Sequence, residues 1–96
     1  MEKKTAEHLF YVLECKDGSY YAGYTNNLER RVRVHNEGKG AKYTRAKLPV
    51  RCIYYEEYET KRAAMQAEYD FKQLTRDAKE RYIAKESVAD EIAKKC

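Results

Sequence analysis

His8-Leu9-Phe10-Tyr11-Val12-Leu13-Glu14-Cys15-Lys16-Asp17-Gly18-Ser19-Tyr20-Tyr21-Ala22-Gly23-Tyr24-Thr25 reads as two segments rich in aromatic and branched residues around an Asp-Gly turn signal, a β-hairpin. How the turn closes decides which side chains share a face. A two-residue Asp17-Gly18 loop pairs Tyr11 with Tyr24 and sends Tyr21 to the other face, because successive strand side chains alternate. A three-residue loop, Lys16-Asp17-Gly18, closes Cys15 on Ser19 instead. Tyr11 then faces Gly23, Leu13 faces Tyr21, and both tyrosines lie on one side. Asp followed by Gly suits a type I turn with a left-handed glycine and a G1 bulge, so the three-residue loop is expected.

Outward from the hairpin, Asn26 with Glu29 three positions on resembles a capping box, and Gly38 supplies a stop, so a helix is expected from about Asn27 to Glu37. Residues 39–48 form a basic loop containing Gly40 and ended by Pro49. Val50 to Tyr58 reads as a third strand, Thr60 caps a helix to about Leu74, and Asp77 with Glu80 starts another. Residues 87–96 offer only Val88, Ala89, Ile92 and Ala93 to bury, and either extend that last helix or fray; residues 1–7 are a polar tail. No repeat, linker or low-complexity stretch interrupts the chain, so residues 1–96 are expected to be one domain with its core at about 8–84. The fold class is α/β of the α+β type: a three-stranded, mainly antiparallel sheet flanked by helices.

The 96 residues are 43% hydrophobic and 38% charged, a balance that suits a folded soluble chain and argues against disorder. No apolar run approaches the roughly 20 residues that cross a bilayer, and no segment has the build of a secretory signal, which makes the cytoplasm the expected location. Cys15, Cys52 and Cys96 are an odd set without C-x-x-C spacing, so neither a disulfide framework nor a structural zinc site is expected. Cys15 and Cys52 read as plain strand thiols and Cys96 as a free terminal one. A formal charge of +4 permits an anionic partner without requiring it.

Helical spacing singles out three charged or titratable groups. At about 100° per residue, Leu28 and Val32 define the buried stripe of the first helix, with His35 near its centre, Arg31 at its border, and Arg30 and Arg33 facing solvent. On the next long helix Ala64, Ala67, Phe71 and Leu74 form the apolar stripe, and Glu68 projects within it. Groups so placed cost desolvation unless partnered. Spacing alone leaves two readings open: a snorkelling arginine, a satisfied core histidine and an Arg31–Glu68 ion pair, or a site on which they converge. Each of the 10 tyrosines, taken singly, fits ordinary strand packing, and Tyr20, Tyr24 and those of the third strand are given no further role.

These residues, taken in order, resemble the GIY-YIG nuclease domain. Tyr11, within Phe10-Tyr11-Val12-Leu13, stands at the tyrosine of the GIY element; Tyr21 and Gly23 stand at the tyrosine and glycine of YIG. Thr25-Asn26-Asn27-Leu28-Glu29-Arg30-Arg31 resembles the run ending in the family's arginine, His35 falls one turn later, and Glu68 matches the metal-binding glutamate. The likeness covers about Leu9 to Ile83 and is similar to small stand-alone bacterial members. Leu9-Phe10 replaces Gly-Ile and Ala22 replaces Ile, changes that remove no functional group. The resemblance implies a catalytic set of Tyr11, Tyr21, Arg31, His35 and Glu68, in which Tyr11 activates or orients water with Tyr21 and His35 assisting. It further implies that Arg31 grips a phosphate oxygen, that Glu68 holds one divalent cation, Mg2+ or Mn2+, and that Gly23 is structural. Independently, Lys39, Lys42, Tyr43, Thr44 and Arg45 combine cations, a stacking ring and a hydroxyl suited to nucleic acid, although a solvated surface loop has the same composition. The expected function is metal-dependent endonucleolytic hydrolysis of DNA. With no room for a separate recognition domain, specificity is low or comes from a protein partner. The alternatives on the same scaffold are a non-catalytic nucleic-acid-binding module and a protein-interaction domain.

Overall fold

A computed structural model of the chain describes residues 7–84. Strands β1 (His8–Glu14) and β2 (Tyr20–Thr25) form the expected hairpin. The Cys15 N–H donates to the Ser19 carbonyl at 2.8 Å and the Gly18 N–H to the Cys15 carbonyl at 2.9 Å, with Gly18 at φ +87°, so the loop is the three-residue one. Asp17 belongs there because its carboxylate accepts both the backbone N–H and the hydroxyl of Ser19, at 3.0 and 2.6 Å. The resulting ladder sets Tyr11 opposite Gly23 and Leu13 opposite Tyr21. Strand β3 (Arg51–Tyr58) pairs antiparallel with the other edge of β1, giving the order β2-β1-β3. As the central strand, β1 is covered on both faces, and Phe10, Tyr11, Val12 and Leu13 are all buried.

Helix α1 (Leu28–Asn36) starts one residue later than a box built on Asn26 requires. The Thr25 hydroxyl accepts the Asn27 N–H at 3.1 Å, and Asn27 becomes the cap, its side-chain oxygen accepting the Arg30 N–H at 3.1 Å. Gly38, left-handed at φ +80°, ends the helix. The segment expected to be an unbroken loop contains a one-turn helix, α2 (Lys42–Arg45), because the Ala41 carbonyl accepts the N–H groups of Thr44 and Arg45 and also the Thr44 hydroxyl. Thr60 caps α3 (Lys61–Lys72) through the Ala63 N–H at 3.0 Å. The helical stretch 76–84, α4, is capped by Thr75, which accepts the Ala78 N–H at 3.1 Å. Asp77 and Glu80, expected to form that start, instead pair with Arg81 and Arg76 on the exposed surface. Residues 87–96, with Cys96, lie outside the described residues, while Cys15 and Cys52 are free thiols.

The sheet separates two cores. Phe10, Val12, Ala22 and Tyr54 pack with Phe71 of α3 and Ile83 of α4; on the opposite face Tyr11, Leu13, Cys15 and Val50 pack with Tyr21 and with Leu28 and Val32 of α1. On the α3–α4 side the Glu56 carboxylate accepts hydrogen bonds from the hydroxyls of Tyr54, Tyr58 and Tyr82. Tyr54 and Tyr58 thus do more than pack, since they hold in place the anion through which Tyr82 ties α4 to β3. No helix among the described residues is long and apolar enough to cross a membrane.

Candidate active site

The face of the sheet under α1 and α2 carries a directed chain of hydrogen bonds. His35, fully buried, joins Thr44, also fully buried, through Nδ1 and Oγ1 at 2.9 Å. The Thr44 hydroxyl gives its one proton to the Ala41 carbonyl at 2.9 Å, so toward His35 it accepts. Nδ1 therefore carries the imidazole proton and Nε2 presents a lone pair. Tyr11, 1% exposed, lies 3.2 Å from Nε2 and donates its hydroxyl proton there. The phenol oxygen in turn accepts Arg31 Nε–H at 3.4 Å. Arg31 is half-buried, as its border position on the helix predicts, while Arg30 and Arg33 are exposed.

Electrostatics agree with this assignment. Burial pushes the Tyr11 phenol above its ordinary value, against the opposing pull of the Arg31 hydrogen bond. Burial first, and the Arg31 charge second, hold His35 below the usual imidazole value. At neutral pH the pair is a protonated phenol on a neutral imidazole. Arg31 has no carboxylate partner among the described residues, which leaves the rest of its fork available to an anion.

Two glycines make room for the pair. A Cβ on Gly23 would stand 2.5 Å from the Tyr11 hydroxyl oxygen, and one on Gly40 would stand 2.3 Å from His35 Nδ1. Tyr21 shares the face, its ring centroid 5.3 Å from that of His35 in an edge contact and 6.1 Å from that of Tyr43 in a stacked one.

The structure thus brings Tyr11, Tyr21, Arg31 and His35 together and sets Glu68 apart from their hydrogen bonds. The Glu68 carboxylate pairs with Lys72 one turn on, at 2.7 Å, in place of an Arg31 ion pair. A neighbour on the same helix reaches it at little entropic cost. Its charge is still felt at Tyr11, where it favours the protonated phenol. Among the described residues no group of three or more His, Cys, Asp or Glu is placed to hold a metal, which leaves Glu68 as a single carboxylate.

Of the basic segment, Lys39, Lys42, Tyr43 and Arg45 are exposed, with Lys47 Nζ 3.8 Å from the centre of the Tyr43 ring. Thr44 departs from the expectation of a nucleic-acid contact: it is buried beneath them and orients His35. Sequence reasoning missed this role, the place of Gly40 against His35, and Lys72 as the partner of Glu68.

Residues 7–82 match the model of the GIY-YIG catalytic domain, and the chain belongs to that family of nuclease domains. Within it, the chain is similar to small proteins named UPF0213. It is 66% identical over 80 residues to one from Bacillus licheniformis, covering 83% of this chain and 82% of the relative. It is 65% identical over 85 residues to one from Bacillus cereus, covering 88% and 86%. The solution NMR structure of the UPF0213 protein of Bacillus halodurans matches with a TM-score of 0.58 at 43% identity, covering 92% of this chain and 94% of the other. That of a protein from E. faecalis matches with a TM-score of 0.60 at 50% identity, covering 92% and 93%.

Proposed function

We propose that the chain is a metal-dependent endonuclease that hydrolyses DNA phosphodiester bonds in the cytoplasm with low sequence specificity of its own. The observation that carries this reading is the run of contacts from Arg31 through Tyr11 and His35 to Thr44, to which the Thr44 bond to the Ala41 carbonyl gives a direction. Such a run moves a proton in one direction. Water beside Tyr11 gives a proton to the phenol oxygen as the phenol passes its own to His35 Nε2. Thr44 keeps hold of Nδ1–H, so the imidazolium that forms stays in place. The hydroxide equivalent attacks phosphorus, the bond to the leaving oxygen breaks, and that oxygen takes a proton from solvent as the imidazolium returns its own. Arg31 meets the growing phosphorane charge with the guanidinium N–H groups not used on Tyr11.

Glu68, a partly buried single carboxylate whose charge reaches Tyr11, fits a hard cation such as Mg2+ or Mn2+, which takes one or two carboxylates and fills its shell with water and substrate phosphate. Bound there, such an ion supplies charge stabilisation at the leaving oxygen. Lys72 would give up its hold on the carboxylate. Tyr21 packs its ring edgewise against the imidazole, and Lys39, Lys42, Tyr43 and Arg45 form a rim for the strand. A protein partner that narrows the target is consistent with the small rim.

The test is incubation of purified protein with duplex, single-stranded and branched DNA, with Mg2+ or Mn2+ and with chelator, alongside Tyr11→Phe and Glu68→Ala. Cleavage is expected with metal only, lost in both variants, while Tyr11→Phe keeps wild-type affinity. Salt-sensitive DNA binding without any cleavage, and a Tyr11→Phe variant indistinguishable from wild type, would move the conclusion to the non-catalytic binding module.

A further inference from the structure

Beside Arg31, a mostly polar cleft of about 450 Å³ opens between the end of β2, α1 and the start of α3. Arg30, Arg31 and Lys61 line it, with Tyr24, Asn26 and Asn27 among its other walls, and no carboxylate is among the described residues that line it. Three cations converge there without an anion in the lining. The nine-residue α1 adds the positive end of its dipole, while its Arg30 N–H is already taken by the Asn27 cap. Glu29, the acidic residue of its first turn, is not among the groups that line the cleft. Lys61 Nζ is instead drawn over the Tyr24 ring, 5.8 Å from its centre.

Resting on the nuclease reading, we propose that this cleft is a second phosphate site, holding the backbone phosphate of the bound strand adjacent to the one under attack. Arg31 connects the two positions. Its Nε contacts Tyr11, and the same side chain lines the cleft. A strand whose scissile phosphate meets the Arg31 fork therefore delivers its neighbour to Arg30 and Lys61. Fixing two consecutive phosphates sets the line of the strand through the site, which one guanidinium cannot do. The rim of α2 then takes the strand on the other side.

The test uses Arg30→Ala combined with Lys61→Ala. Both side chains are exposed and neither belongs to the proposed catalytic set. Affinity for a short duplex and for a single strand is measured in chelator at 50 and 200 mM salt. Removing the hold on one phosphate is expected to weaken binding, with a deficit about threefold larger at the lower salt. A neutral methylphosphonate at one phosphate flanking the cleaved bond should weaken wild type and leave the double variant unaffected, which a site for free phosphate would not show. A variant with wild-type affinity and salt slope, or one penalised by every flanking methylphosphonate as wild type is, overturns the second site, and the nuclease reading then survives if wild type still cleaves. Wild-type protein without salt-dependent binding to either DNA overturns both.

Discussion

Thr44→Val keeps the shape of a fully buried side chain and removes only its hydroxyl, so it isolates what that oxygen does for His35. Two hydrogen bonds disappear, one from Nδ1–H and one to the Ala41 carbonyl. The carbonyl is not orphaned, because it still accepts the backbone N–H groups of residues 44 and 45, at 3.1 and 3.2 Å. The imidazole N–H is orphaned, at a cost of about 1–3 kcal/mol for a buried donor. The ring escapes part of that cost by carrying its proton on Nε2 instead. Nε2–H then donates to Tyr11, and the phenol is left without its proton acceptor. Stability should fall by about 1–3 kcal/mol in urea titrations. The saturated cleavage rate should fall by roughly 10²–10⁴-fold, the usual worth of a positioned base. DNA affinity should barely change. Nitrogen-15 shifts of the imidazole report the tautomer directly, and Thr44→Ser, which restores the hydroxyl, should recover both tautomer and rate. Wild-type turnover and an unmoved tautomer in Thr44→Val, or a serine variant as damaged as the valine one, would refute the reasoning.

Gly40→Ala should cost about 1–3 kcal/mol by overpacking and should depress cleavage, because its Cβ would stand 2.3 Å from His35 Nδ1; thermal melts with single-turnover assays check both. Because burial and Arg31 lower the folded pKa of His35, the unfolded chain takes up that proton first on acidification. The stability tied to neutral His35 is therefore whole above about pH 6.5 and drains as pH falls through the lower folded value, and denaturation midpoints across this window should lose that slope in His35→Gln. Lys42→Ala with Arg45→Ala should weaken DNA binding alike across sequences and reduce the salt slope by about one unit for each phosphate no longer held, as fluorescence titrations at several salt concentrations would show.

The hairpin was legible because Asp17 and Gly18 specify a turn chemistry, and the turn alone determines that Tyr11 and Tyr21 share a face. The helical wheel likewise placed His35 inside and Arg31 at the border, since 3.6-residue periodicity survives any detail of capping. What was not legible depended on choices between near-equivalent neighbours. Asn26 and Asn27 are both good caps, and the decision fell to the Thr25 hydroxyl, which binds the Asn27 N–H. Glu68 could turn to Arg31 or to Lys72, and the cation on its own helix won. Thr44 read as one more polar residue in a basic stretch, because nothing local in the sequence says that a single turn of helix there folds its hydroxyl beneath the sheet-facing histidine. The two close glycine approaches belong to the same class. Gly23 was marked by the motif, whereas the approach of Gly40 to His35 exists only once α2 is in place.

The carboxylate of Glu56, clasped by three phenols, has a consequence at the alkaline end of the pH scale. Burial above all, with the hydrogen bond to Glu56 adding to it, pushes Tyr54 and Tyr58 well above the ordinary phenol value. A phenol that cannot surrender its proton while folded stabilises the chain fully below about pH 10, and that contribution erodes as the unfolded form begins to ionise. One anion that joins β3 to α4 therefore also sets a ceiling: the sheet should let go of α4 in base, as phenolates form that Glu56 can no longer accommodate.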